Sequence, residues 1–168
     1  MAENIILIGM PGVGKSTIGV RLAKRLGFSF VDTDLIIQTG EGMRLQEIIE
    51  SQGIEGFSRI EEKYILLLTP AAQVIATGGS VVYSEPAMAH LKSSGVLAHL
   101  DLDPSLIEQR FDSMAERGVI HAPGQSIRDL YRDRHPLYRR YEDIYIDCTR
   151  MSPDAVVREV ISKVQNSL

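Results

Sequence analysis

The chain has 168 residues, of which 44% are hydrophobic, 24% charged and 6% aromatic, a profile that fits one compact domain over residues 1–168 and excludes a large second one. Its one cysteine, Cys148, excludes an internal disulfide, and His90, His99, His121 and His135 lack the spacing with cysteine that marks a zinc site. A net charge of −4 and a pI near 5.6 argue against nonspecific binding to nucleic acid or acidic lipid.

Met1 to Asn4 run straight into an apolar segment, so no secretory leader is expected. No aliphatic run approaches the roughly 20 residues of a membrane span, so a cytoplasmic protein off the membrane is expected, with no obligate protein partner. Five short apolar runs are predicted as strands: Ile5 to Ile8, Phe28 to Val31, Val74 to Ala76, Val96 to Leu100 and Ile144 to Ile146. Helical patterns fill the gaps. Ser16 to Leu26 sets Ile18, Leu22 and Leu26 on one face, and Pro104 to Arg117 opens on a proline suited to a helix start. Such alternation predicts an α/β fold, a parallel sheet wrapped by helices. Glu116 to Ser126, with Gly118, Pro123 and Gly124, is predicted as a loop, either mobile or a plain surface connection.

Lysine is missing between Lys92 and Lys163, whereas Arg110, Arg117, Arg128, Arg132, Arg134, Arg139, Arg140 and Arg150 crowd the second half. Arginine's planar fork suits phosphate and carboxylate, which makes this stretch a candidate anion-handling surface. Salt bridging to neighbouring Asp and Glu is the expected role of most of these arginines.

Three motifs carry chemistry. Gly9-Met10-Pro11-Gly12-Val13-Gly14-Lys15-Ser16 follows a strand and opens a helix, so its backbone N–H groups can curl around a polyphosphate at the positive end of a helix dipole. In that pattern Lys15 reaches the β and γ phosphates and the Ser16 hydroxyl serves Mg²⁺. Asp32-Thr33-Asp34 stands at the carboxyl end of the second strand run; read as an extended segment, its two carboxylates share a face at the ligand crevice, one for the metal and one for a substrate proton. Helix capping explains one of the pair equally well. Gly78-Gly79 leaves the third strand run and allows backbone to approach a ligand closely, or simply makes a tight turn.

In this order and spacing, the Gly9 to Thr17 loop, Asp32-Thr33-Asp34, Phe57 with Glu61, Gly78-Gly79, Arg117 and Arg134-His135-Pro136-Leu137-Tyr138 resemble the shikimate kinases over nearly the whole chain. The resemblance implies a three-layer α/β/α fold with a five-stranded parallel sheet, a mobile lid at about residues 112–124, and transfer of the γ-phosphoryl group of MgATP to a hydroxyl of shikimate in aromatic amino acid biosynthesis. It implies nucleotide contacts from Gly12, Val13, Gly14, Lys15, Ser16 and Thr17, with Arg110 beside adenine, Arg117 on the phosphates, and Arg150 and Pro153 in the adenine-facing loop. Ser16 and Asp32 would serve Mg²⁺, Asp34 would bind the acceptor hydroxyls and act as base, Gly78 and Gly79 would line the acceptor pocket, and Arg134 would clamp a carboxylate. Lys15, Asp34 and Arg117 are the implied catalytic set.

Three positions and one segment depart from the family pattern. Ser58 stands where a second carboxylate-binding arginine is usual, and Arg59, one residue on, points about 100° away on a helix. Ser80 replaces a third glycine, Met151 replaces a frequent arginine, and the lid reads Ala115-Glu116-Arg117-Gly118-Val119-Ile120. The altered acceptor half leaves two other expectations open: a kinase for a different hydroxylated metabolite, and a nucleotide-binding regulatory module without transfer activity.

Overall fold

The computed structural model describes residues 4–112 and 124–166. Five parallel strands, β1 (Asn4–Ile8), β2 (Ser29–Asp32), β3 (Gln73–Ala76), β4 (Val96–Asp101) and β5 (Ile144–Asp147), form one sheet in the order β2-β3-β1-β4-β5. All five strand expectations are met with ends shifted by about a residue. The order itself depends on pairing: Ile5 lies opposite Val74 on one side and Val96 on the other. Every residue of β1 is buried, which requires cover on both faces of the sheet.

That cover comes from α1 (Lys15–Leu26), α2 (Thr33–Glu41), α3 (Leu45–Leu66), α4 (Glu85–Ser94), α5 (Pro104–Asp112), α6 (Ile127–Tyr141) and α7 (Pro153–Asn166). Helices α1 and α7 pack together beside the sheet, while α3, α4 and α6 gather around a short 3-10 helix, Gly79–Tyr83. The helix expected from Pro104 is present to Asp112; its continuation, most of the proposed lid and Arg117 lie outside the described residues. At the far side of that segment Ser126 caps α6, its hydroxyl accepting from the Asp129 N–H at 3.1 Å while the Asp129 carboxylate accepts from the Ser126 N–H at 3.1 Å.

Two apolar cores form. The main one spans the sheet and its helices, and a small one joins Ile37, Ile48 and Phe57 between α2 and α3. Helix α3 breaks its helical path at Gly53 (φ 72°), a left-handed conformation that glycine adopts without strain. The chain leaves β1 toward β2 on one side and leaves β4 toward β5 on the other, so the crevice between the carboxyl ends of β1 and β4 is where a ligand is expected. Among the described residues no helix is long and apolar enough to cross a membrane.

Candidate active site

The loop between β1 and α1 holds three glycines at positive φ: Gly9 at 143°, Gly12 at 81° and Gly14 at 105°. A Cβ on Gly9 would also run into the Leu100 carbonyl of β4, so glycine is required there by space as well as by dihedral. Helix α1 has neither a capping side chain nor an acidic residue in its first turn, which leaves its leading N–H groups and dipole directed at whatever anion the loop encloses. Lys15 is buried, and its Nζ donates to the Gly9 carbonyl at 2.7 Å and the Met10 carbonyl at 2.8 Å. Burial lowers its pKa to about 8, with Arg134 pushing the same way and Asp34 and Asp32 opposing.

Ser16 Oγ donates to Asp32 Oδ2 at 2.7 Å, and Asp32 Oδ1 accepts from the Asp34 N–H at 3.0 Å. Asp32 therefore closes β2 and caps α2, with Asp34 in the first helical turn. This corrects the expectation that the two carboxylates share a face of an extended segment: the chain turns helical at Thr33, because Asp32 satisfies one of the helix's unpaired N–H groups. Both carboxylates still face the same cavity. A hydroxyl and a carboxylate in contact, both hard oxygen donors, fit Mg²⁺, which takes few protein ligands and completes its shell with phosphate and water.

Across the sheet's edge, Gly78 and Gly79 form the wall behind Asp34. A Cβ on Gly78 would come within 2.6 Å of Glu61 Oε1 and 3.1 Å of Asp34 Oδ1; one on Gly79 would come within 2.7 Å of the Pro11 ring and 2.9 Å of Arg134 Nη1. Close approach is thus the reason for both glycines, and the turn they make leads directly into the 3-10 helix. Arg134 is 1% exposed and lies 5.3 Å from the centre of the Tyr83 ring, while Tyr138, one turn later on α6, donates its hydroxyl to the Gly79 carbonyl at 2.6 Å. Glu61 is buried on α3; Ser80 Oγ donates to its Oε2 at 2.8 Å. Burial raises the Glu61 carboxyl to about 7, the Ser80 hydrogen bond and Arg134 lower it, and Asp34 adds to the rise.

One cavity of about 910 Å³ collects Gly12, Gly14, Lys15, Ser16, Thr17, Asp32, Asp34, Gly78, Gly79 and Arg110. Val13 is buried beneath it, and Arg134 supports it from behind Gly79. Arg110 Nη1 donates to the Gly12 carbonyl at 2.8 Å and the Val13 carbonyl at 3.2 Å, so α5 braces the phosphate loop. Arg150 and Pro153 are exposed beyond β5 and take no part in lining the cavity. Arg59 is exposed and does not line the cavity. Of the eight arginines in the arginine-rich stretch, Arg128, Arg132 and Arg139 pair with Glu108, Asp129 and Glu142, the salt-bridging role expected for most of them. Sequence reasoning missed Arg44 and Gln38, which line the α2–α3 side of the cavity, and gave Glu61 and Tyr138 no role. The only signal for Arg44 was Glu47 three residues on, the reciprocal spacing of a helix start.

A family model described as shikimate kinase matches residues 11–165. The shikimate kinase of Thermodesulfovibrio yellowstonii is 38% identical over 97% of this chain and 95% of its own length, and that of Mycobacterium avium is 37% identical over 98% and 94%. Among solved structures, the shikimate kinase of Acinetobacter baumannii in complex with shikimate superposes with a TM-score of 0.90 at 30% identity, covering 98% of this chain and 93% of that one. The shikimate kinase of Aquifex aeolicus gives 0.82 at 29%, covering 98% of each.

Proposed function

The chain belongs to the shikimate kinase family, and from that premise we propose that it transfers the γ-phosphoryl group of ATP to shikimate, giving shikimate 3-phosphate in aromatic amino acid biosynthesis. One observation carries the proposal: the phosphate loop and Asp34 open on the same cavity, with the glycine wall that Arg134 backs between them.

The work of the site is positioning and charge balance. Backbone N–H groups of the Gly9 to Thr17 loop and the start of α1 hold the polyphosphate, and Lys15 offsets its charge from a buried position where the offset is worth most. Magnesium, held through Ser16 and Asp32, would neutralise charge on the phosphates. Asp34 orients the acceptor hydroxyl and takes its proton, and its place in the first turn of a helix capped by Asp32 fixes the carboxylate's direction. Arg134 holds the acceptor carboxylate, its fork aimed by burial against Gly79 and Tyr83. Following the family resemblance, Arg117 serves the transferring group, Arg110 lies near the nucleotide, and Arg150 and Pro153 flank its base.

Ser58 favours one further reading, a hydroxylated acceptor other than shikimate. A charge-assisted bond is worth roughly 1.5–3 kcal/mol, so a missing arginine weakens a carboxylate acceptor by about one to two orders of magnitude. The test is ADP release from MgATP with shikimate and with a panel of other hydroxylated acids, sugars and nucleosides. Stimulation by shikimate above the rest is expected. Preference for another compound transfers the proposal to it, and tight nucleotide binding without stimulation by any compound leaves a binding module.

A further inference from the structure

Glu61 Oε1 is buried and receives no hydrogen bond from the described residues. It lies against Gly78 on the side where Asp34 Oδ1 also sits. From α2 Asp34 faces it, from α6 Arg134 and Tyr138, and from the 3-10 helix Ser80, which holds the other carboxyl oxygen. On its own helix, Ser58 is three residues earlier and uncharged, Arg59 points outward, and the Glu62, Lys63 and Tyr64 side chains are engaged elsewhere, with Ser84 and Glu41. Among the described residues Arg134 is the cation set against Glu61, while Asp34 also faces Lys15.

An anionic acceptor that binds Arg134 takes up that opposing charge and adds its own negative charge beside two carboxylates. Asp34 must stay ionised to receive the hydroxyl proton, so Glu61 is the group that can yield. We infer that Glu61 is a positioning residue that takes up a proton from solvent when the anionic acceptor binds, with Ser80 holding its second oxygen in place. The step is a simple protonation: Glu61 carboxylate plus a buffer proton gives the neutral carboxyl, and no bond of the acceptor changes. Desolvation, which already raises this carboxyl to about 7, acts in the same direction. The inference rests on the reading of shikimate as acceptor.

The test is calorimetry of shikimate binding at pH 8 in two buffers of unlike ionisation enthalpy, repeated across pH 6–9. The wild-type chain is expected to take up roughly half to one proton per site, and its shikimate affinity to fall by up to about tenfold per pH unit above neutrality. Glu61→Gln is expected to bind with no uptake and a flat affinity profile, with kcat within a few-fold and the pH dependence of KM removed. Ser80→Ala, which loses the bond favouring the ionised form, moves the onset of uptake to higher pH and serves as the deciding variant if Glu61→Gln does not fold. Binding of shikimate by the wild type without proton uptake, or equal uptake in Glu61→Gln, or an unmoved onset in Ser80→Ala, overturns the inference while leaving the acceptor reading intact. Nucleotide binding with no shikimate binding at all overturns the acceptor reading and this inference with it.

Discussion

Lys15 shows how far a site side chain departs from what stability alone favours. Its ammonium is buried against two carbonyls and held at about 8, a cost on the order of 3 kcal/mol at neutral pH because the unfolded chain carries the same charge in water. Lys15→Met is expected to lose transfer by at least a hundredfold and yet to gain about 1–2 kcal/mol in urea unfolding at pH 7, after the loss of its two hydrogen bonds. Glu61 gives the matching pH effect. Its folded pKa is raised from 4.5 to about 7, so the folded chain holds a proton that the unfolded chain has released. Stability from this group is therefore full below about pH 4.5 and falls as pH rises through 7. Glu61→Gln should remove that slope and gain roughly 2–3 kcal/mol at pH 8, with little difference from wild type at pH 4.5, in paired unfolding curves. At this scale the strand, glycine loop and helix start around Lys15 were legible, because one contiguous motif carries them. The Ser80–Glu61 bond was not, because nothing local in the sequence links positions 19 residues apart.

Helix α6 matters as an element because it carries Arg134 and Tyr138 on one face and seats them through a polar cluster on the sheet. Asp101 at the end of β4 accepts from the Tyr131 and Tyr145 hydroxyls, and the buried His99 on the same strand lies 2.6 Å from Glu142, just past the helix end. Burial holds His99 near 3, so the imidazole stays neutral and Glu142 accepts from its ring N–H. Tyr138→Phe removes the donor to the Gly79 carbonyl and is expected to cost about 1–2 kcal/mol of stability and to raise KM for the acceptor more than it lowers kcat. Gly79→Ala forces a methyl onto the Pro11 ring and the Arg134 guanidinium; a loss of shikimate affinity of tenfold or more with nucleotide affinity unchanged is the outcome to look for in separate titrations. Strand positions were readable as apolar runs, whereas the Asp32-Thr33-Asp34 turn was misjudged because strand end and helix cap use the same residue type. The kink at Gly53 and the small core of Ile37, Ile48 and Phe57 were hidden in a stretch with no strong helical stripe.

Across the whole molecule, the β2-β3-β1-β4-β5 order puts the loop after β1, the end of β2 and the turn after β3 at one edge, and that juxtaposition turns separate motifs into one site. Alternation of strands and helices foretold the fold class, and five apolar runs foretold the strand number, as did the family resemblance. Neither periodicity nor spacing shows that α3 brings Glu61 behind Gly78 while turning Arg59 outward, since both follow from packing between distant segments. The small α2–α3 core is separate from the main one. Phosphorus NMR of a mixture of the protein, MgATP and shikimate observes the transfer itself. The γ-phosphate signal is expected to be replaced by that of a phosphate monoester as ADP accumulates; ADP formed only with inorganic phosphate, at a rate indifferent to shikimate, would contradict transfer to this acceptor.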